Sequence, residues 1–550
     1  MAKQTRSLIG GMTVLGMTGI LCKLIGVLFS VPLTWIIGSR GLSVFQGVFP
    51  TYNLLLTISS AGLPVAVSRM VSHCLAKDDP RGAKHVFRAA LYLLAAMGAF
   101  CTLLMVASNG LLVSLVGQPN ASAGFYAIAP CVAIVCVLSA FRGFMQGQQN
   151  MVPTAISQLI EQVGKVLISL PLAYLGYRYG TELGLAQATA QALTGEAAQE
   201  LQTQMAAAYG ATGALLGITL VEALALGYMV LLYLRRRAAF DQIAQLGEAE
   251  LLTSRSVAGR LLRISIPITI GACIVPLAQF VDSALLVKRM LAAGLSQAEA
   301  QTLYGLFSGL VIRLINIPTA LALSISMSLV PAISACKAVG DDEGVRKQAG
   351  LGLRFAFLIG FPCSIGMSVL AEPIMRFFYE GSLSAEELRA GAELLTMSSL
   401  TVVLFTVVQA TSAILQGIGK QKIPMLTLCV GVGFKIVLNY VLVGTPGIDI
   451  HGGPIASIVC YSASMLPNLY YCVKHTRMRF DWKAIVLKPA AATAVMGMAV
   501  WGLRELLPSH RLLTLLTIAV GVAVYAGAAL LLGAFTKDDI APLLRRRKRG

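Results

Sequence analysis

Nine ionisable side chains fall inside long apolar stretches of this sequence: Lys23, Arg69, Arg142, Glu161, Lys165, Glu222, Asp282, Arg313 and Lys435. At bilayer depth each costs several kcal/mol unless it meets a partner, a hydrated cavity or the headgroups. Gln158, Glu161, Gln162 and Lys165 recur at i, i+3, i+4 and i+7, which places them on one face of a helix. Lys165 lies twelve residues past Pro153, about 18 Å along a helix axis. A polar stripe at that depth predicts a hydrated cavity or the polar face of another helix. The competing account is a Glu161–Lys165 pair that neutralises itself. Lys435 and Asn439 repeat the pattern at i, i+4, Arg313 and Asn316 share a face at i, i+3, and Glu222 stands alone in its stretch. For Arg69 and Arg142, close to helix ends, snorkelling to the headgroups is the alternative. For Asp282, near the end of its stretch, the alternative is simple hydration.

Among the deep residues the cations Lys23, Lys165, Arg313 and Lys435 outnumber the acids. A positive interior suits an anionic cargo such as a phosphate or pyrophosphate headgroup and disfavours a cationic drug. Arg313 is the best candidate to grip it, because a guanidinium fork supplies paired donors that lysine lacks. Arg142 joins the same group if it does not snorkel. Glu161, Glu222 and Asp282 are the carboxylates able to carry a proton or a coupling ion. The sequence holds no Walker A, GxSxG or HExxH pattern. Its eleven cysteines form no CxxC pair, and its five histidines lack metal-ligand spacing. The expectation is a non-enzyme with no catalytic residue, no cofactor and no metal.

These residues must be positioned by membrane helices. The 550-residue chain is 56% hydrophobic and 12% charged, about half the charged share of a soluble chain. Stretches such as Ile264–Leu286, Pro424–Val443 and Leu512–Gly533 have the length, about 20 residues, that crosses a hydrocarbon core. We expect an all-α integral membrane protein with about fourteen spans. The first apolar stretch is read as a retained helix, since Lys23 interrupts it and it runs on to Ile37. Basic clusters at Lys77–Arg88, Arg235–Arg263, Lys337–Arg354, Lys474–Lys483 and Arg545–Arg549 fall on one side of this topology. By the positive-inside bias the chain sits in the cell membrane with both termini cytoplasmic. The bias accounts for most of the net charge of +18, and anionic lipid explains the basic tail better than nucleic acid. The polar segment Thr181–Ala207 should lie outside as a surface helix.

An internal repeat organises the spans. Gln146-Gly147, Pro153 and Lys165 are echoed by Gln416-Gly417, Pro424 and Lys435. A weaker echo joins Pro64, Ser68 and Asp78-Asp79 to Pro331, Ser334 and Asp341-Asp342. The expected plan is a first lobe of six spans over 1–234, a cytoplasmic linker at 235–260 and a second six-span lobe over 261–474. The segment 475–550 adds two helices and the basic tail. The lobes would be related by a pseudo-two-fold axis, with the deep charges converging between them.

Arg142-Gly143-Phe144-Met145-Gln146-Gly147, Leu415-Gln416-Gly417-Ile418-Gly419-Lys420 and Gly62-Leu63-Pro64-Val65-Ala66-Val67-Ser68 carry a family resemblance. Their order resembles the polysaccharide-transporter branch of the MOP superfamily, which includes stage V sporulation protein B and its relatives in Gram-positive bacteria. The resemblance implies a fourteen-helix fold, alternating access and a lipid-linked glycan as cargo. Two matches to the lipid II flippases of the same superfamily imply site residues: Lys23 before Leu24-Ile25-Gly26, and Arg313 in Arg313-Leu314-Ile315-Asn316-Ile317-Pro318. One basic pair of that pattern is missing, since Leu56-Thr57 follow Asn53-Leu54-Leu55. The expected function is export of an undecaprenyl-pyrophosphate-linked saccharide, a peptidoglycan precursor or polysaccharide unit, with membrane lipid and cell-wall synthesis enzymes as partners. The expected substrate contacts are Lys23, Arg142, Glu161, Lys165, Arg313, Asn316 and Lys435. The alternatives are a MATE-like cation-coupled drug antiporter and a non-transporting scaffold for cell-wall synthesis.

Overall fold

In hydrocarbon a backbone N–H or C=O without a partner costs several kcal/mol, so a chain this apolar must satisfy its backbone within helices. The computed structural model describes residues 2–77, 79–245, 254–506 and 511–534, and its regular structure there is helical throughout. Twelve helical segments among the described residues are long and apolar enough to cross a membrane, and one of them, Leu28–Ala76, takes in parts of the first two of the roughly fourteen spans expected. The stretch expected as span 12 does form a helix, Gly452–Thr476, but serines and Asn468 make it too polar to count.

The first compact unit, Met1–Gly305, holds α1 (Ala2–Ser60), α2 (Leu63–Ala76), α3 (Pro80–Ala107), α4 (Asn109–Val116), α5 (Ser122–Gly147), α6 (Val152–Gly164), α7 (Leu170–Ala190), α8 (Glu196–Gln245), α9 (Ser254–Ala292) and α10 (Gln297–Tyr304). α1 is two helices joined at Gly38, whose φ of 64° is left-handed, a conformation that glycine adopts without a Cβ penalty. The break falls where the sequence separates its first two spans. α9 packs on α1, α2 and α3 of this unit. Residues 246–253 of the expected linker lie outside the described residues, and α8 and α9 extend into its two ends.

α6 continues into α7 through a π-helical turn, Lys165–Ser169, so that 152–190 forms one rod. α8 runs back along it. Glycines allow the approach: a Cβ on Gly164 would meet Val221 Cγ1 at 2.7 Å, and one on Gly184 would meet Gln202 Cα at 2.6 Å. Much of the segment expected as a separate surface helix, 181–207, instead prolongs these two helices. Only 191–195 forms the turn between them.

The second unit, Leu306–Gly550, holds α11 (Ile312–Ala338), α12 (Asp342–Val369), α13 (Ala371–Tyr379), α14 (Ala385–Gly417), α15 (Lys422–Leu442), α16 (Gly452–Thr476), α17 (Lys488–Leu506) and α18 (Arg511–Leu531). A π-helical turn, Gly305–Val311, leads into α11. Leu329, Ile333, Leu353, Val407, Ile414 and Cys472 form part of its core, bringing together α11, α12, α14 and α16. Polar clasps fix the α17–α18 hairpin to α12 and α13. Arg504 donates to the Val369 carbonyl at 2.9 Å and to Glu372 at 3.1 Å, while Arg354 and Lys488 donate to the Gly533 carbonyl at 3.2 and 3.3 Å.

Candidate functional site

The first unit gathers four of the deep charges. α5 ends at Gly147, five residues after Arg142, and α6 begins at Val152, five residues before Ser157. In a tight helical hairpin, residues equally far from the turn face each other. Arg142 Nε accordingly donates to Ser157 Oγ at 2.9 Å. One turn deeper on α6, Glu161 accepts from Arg142 Nη2 in a close ion pair. Only 14% of the Arg142 side chain and 11% of the Glu161 side chain remain exposed. Losing one partner of so buried a pair costs about 3–5 kcal/mol, because the other charge is left uncompensated.

Glu222 completes the cluster from α8. Gly164 and Val221 hold α6 and α8 together, which brings the Glu222 carboxyl within hydrogen-bonding reach of Glu161. Glu222 is 5% exposed, and its Oε2 has no hydrogen-bond partner among the described residues. Lys165, one turn beyond Glu161, opens the π-helical turn. α1 adds Cys22, whose thiol donates to the Gln158 carbonyl at 3.7 Å, and Tyr52, whose hydroxyl accepts from Cys131 Sγ at 3.2 Å. Among the described residues the result is two cations and two carboxyls with thiol and hydroxyl groups beside them.

This geometry corrects several expectations. Glu161 bridges to Arg142 on the neighbouring helix, not to Lys165 on its own. Arg142 does not snorkel, because its guanidinium turns inward to α6. Glu222 is not alone. Ser157, Tyr52, Cys131 and Cys22 are additions. Ser157 was findable from its distance to the hairpin turn; the other three carry no signal in the sequence.

The remaining candidates lie elsewhere. Lys23 is on α1, and its side chain is outside the described residues. Asp282 is half-buried on α9. In the second unit Arg313 is half-buried beside Tyr379, which is 1% exposed. Burial pushes the Tyr379 phenol up to about 12, with the Arg313 charge pulling the other way. Asn316 is exposed, Lys435 is half-buried and Asn439 is fully buried.

Comparison with known proteins places the chain in a family. The chain is 27% identical over 512 residues to the lipid II flippase MurJ of Bacillus subtilis, covering 90% of this chain and 88% of the relative. It is 24% identical over 548 residues to stage V sporulation protein B of the same organism, covering 98% of each. A solved structure of lipid II flippase MurJ in an inward closed conformation shares the fold with a TM-score of 0.66, at 14% identity over 94% of this chain and 98% of that one. The family model for lipid II flippase MurJ matches residues 43–521. The chain therefore belongs to the lipid II flippase MurJ family.

Proposed function

We propose that the chain flips an undecaprenyl-pyrophosphate-linked saccharide, a peptidoglycan precursor or polysaccharide unit, across the cytoplasmic membrane by alternating access. The observation that carries this reading is the set of cations inside apolar helices, Arg142, Lys165, Arg313 and Lys435, in a chain of a lipid flippase family. A membrane protein tolerates such charges where they serve a polar path, and a pyrophosphate is the group on a lipid-linked sugar that cations recognise. Lys23, Glu161 and Asn316 complete the substrate contacts of this reading. Glu161, Glu222 and Asp282 serve as coupling groups. The basic clusters support cytoplasmic termini, and cell-wall synthesis enzymes would take up the product.

The test is flipping in liposomes with a panel of lipid-linked sugars that differ in headgroup charge and glycan. Arg313→Ala should lose nearly all flipping of pyrophosphate-linked lipids. Arg313→Lys, which keeps the charge but not the fork, should lose most of it, with membrane expression normal for both. If lysine substitutes well, the residue acts through charge alone. If Arg313→Ala flips at the wild-type rate, the anionic-cargo mechanism is wrong.

A further inference from the structure

Arg142 is the most tightly held cation in the cluster, and what holds it is a carboxylate. Glu161 holds an anionic oxygen, Oε1, against its guanidinium, the place that a phosphate oxygen would take. Behind Glu161 stands a second carboxyl, Glu222, within hydrogen-bonding reach and with one buried oxygen that has no partner among the described residues. Two carboxylates cannot approach so closely in a low-dielectric setting unless a proton lies between them or cations balance both. The charged and titratable groups facing Glu161 among the described residues are Arg142 and Cys131 from α5, Lys165 at the end of α6, Glu222 from α8, and Cys22 and Tyr52 from α1. Among the described residues the cations number two and so do the carboxyls, so the site is neutral when all four are ionised.

We infer that Glu161 is a built-in competitor for Arg142, and that a proton taken up by the Glu161–Glu222 pair releases Arg142 to bind the phosphate of the lipid cargo. The inference rests on the flippase reading above and adds its regulation. Arg142⁺ paired with Glu161⁻ gains one proton and one anionic headgroup, and becomes Arg142⁺ paired with phosphate beside a neutral Glu161. The proton taken up offsets one of the two negative charges that the pyrophosphate brings, and the Lys165 ammonium is the further cation of the cluster. Proton binding and lipid binding at this site are therefore positively linked, and by reciprocity the lipid raises the proton affinity of the pair. The sign follows: raising the pH deprotonates the pair, restores the Arg142–Glu161 bridge and weakens lipid binding. Lowering the pH strengthens it, by at most about tenfold per pH unit for one linked proton. Ser157, which accepts from Arg142 Nε, positions the guanidinium in both arrangements.

The experiment measures binding of a polyprenyl pyrophosphate to the full-length protein in nanodiscs between pH 5 and 8, with the polyprenyl alcohol as uncharged control. Wild-type affinity should rise as pH falls, and Glu161→Gln should bind tightly across the range with a flat profile. Arg142→Gln should bind weakly at every pH. Wild-type protein alone provides a second readout. With a sulfate-headed polyprenyl lipid, which does not titrate in this range, binding should take up close to one proton per lipid, measured by calorimetry in buffers of different ionisation enthalpy. A pH profile that Glu161→Gln leaves intact, or sulfate-lipid binding without proton uptake, overturns the linkage and leaves the flippase reading standing. No preference for the pyrophosphate lipid over the alcohol at any pH overturns the anionic-cargo reading itself, and the linkage with it.

Discussion

The hairpins α5–α6 and α14–α15 stand at equivalent places in the internal repeat, and they share a framework while differing in what fills it. In the first, a Cβ on Gly147 would press on Val71 Cβ at 2.7 Å; in the second, a Cβ on Gly417 would press on Ile333 Cβ at 2.8 Å. Upstream, Asp79 caps α3 and Asp341 caps α12, each accepting from a glycine N–H three residues on at 2.7 Å. The contents diverge. Arg142, Ser157 and Glu161 correspond in register to Ser412, Thr427 and Gly431, and only Lys165 keeps its type, as Lys435. In the second half Thr427 of α15 turns instead to the next helix, donating to Asn468 Oδ1 of α16 at 2.7 Å, and Ser464 of α16 donates to the Thr427 carbonyl at 3.2 Å. The first hairpin thus carries a buried ion pair between its two helices, whereas the second carries no charge at the matching positions of α14 and α15 and bonds to its neighbour α16 through neutral groups. Since the neutral version suffices for packing, and a buried ion pair is seldom a net stabiliser, the charges of the first hairpin are better explained by what they do than by what they hold together.

The widest gap between the halves should appear on removing the cation. Arg142→Ala should lower unfolding stability by about 3–5 kcal/mol, and adding Glu161→Ala should restore much of it. Ser412→Ala should stay within about 0.5 kcal/mol. Thermal unfolding in detergent reads all three, and a wild-type melting point for Arg142→Ala would break the comparison. The shared framework predicts symmetry instead. Gly147→Val and Gly417→Val should each cost about 1–3 kcal/mol by overpacking, and a large loss in one with none in the other would mean that the repeat is not a packing repeat. The smallest effects concern single hydrogen bonds. Asp79→Ala and Asp341→Ala should each cost about 1 kcal/mol as lost helix caps. Thr427→Val should cost about 1 kcal/mol, and a cost near that of Arg142→Ala would erase the difference between the charged and the neutral half.

Much of this was legible in the sequence. Length and apolarity placed the helices, Pro153 marked the start of one, and the Gln-Gly…Pro…Lys echo suggested the repeat. The polar stripe on α6 was found because periodicity reports which residues share a face. The same property concealed the pairing of Glu161. Spacing at i, i+4 points to Lys165, whereas the partner is a side chain on the next helix, long enough to cross between axes. Which neighbour a face meets is settled by tertiary packing, here by Gly164 against Val221, and that information is spread over residues distant in the chain. Glu222 looked solitary for the same reason. The extent of α7 and α8 was missed because their outer turns are rich in Gln and Ala, which read as a polar loop but are good helix formers.

The π-helical turn at Lys165–Ser169 also bears on how this rod tolerates change in length. One residue added to an α-helix rotates everything beyond it by about 100°, which would swing Gly176, Gly180 and Gly184 away from α8. A wide turn absorbs the additional residue locally. The polar face up to Lys165 and the glycine face after Ser169 can then each keep their own neighbours. The two faces belong to one continuous helix yet are free to vary in register separately, so a single-residue deletion inside 165–169 should close the turn to α-helical geometry and leave both faces aligned, whereas the same deletion elsewhere in the rod would rotate one face away from α8.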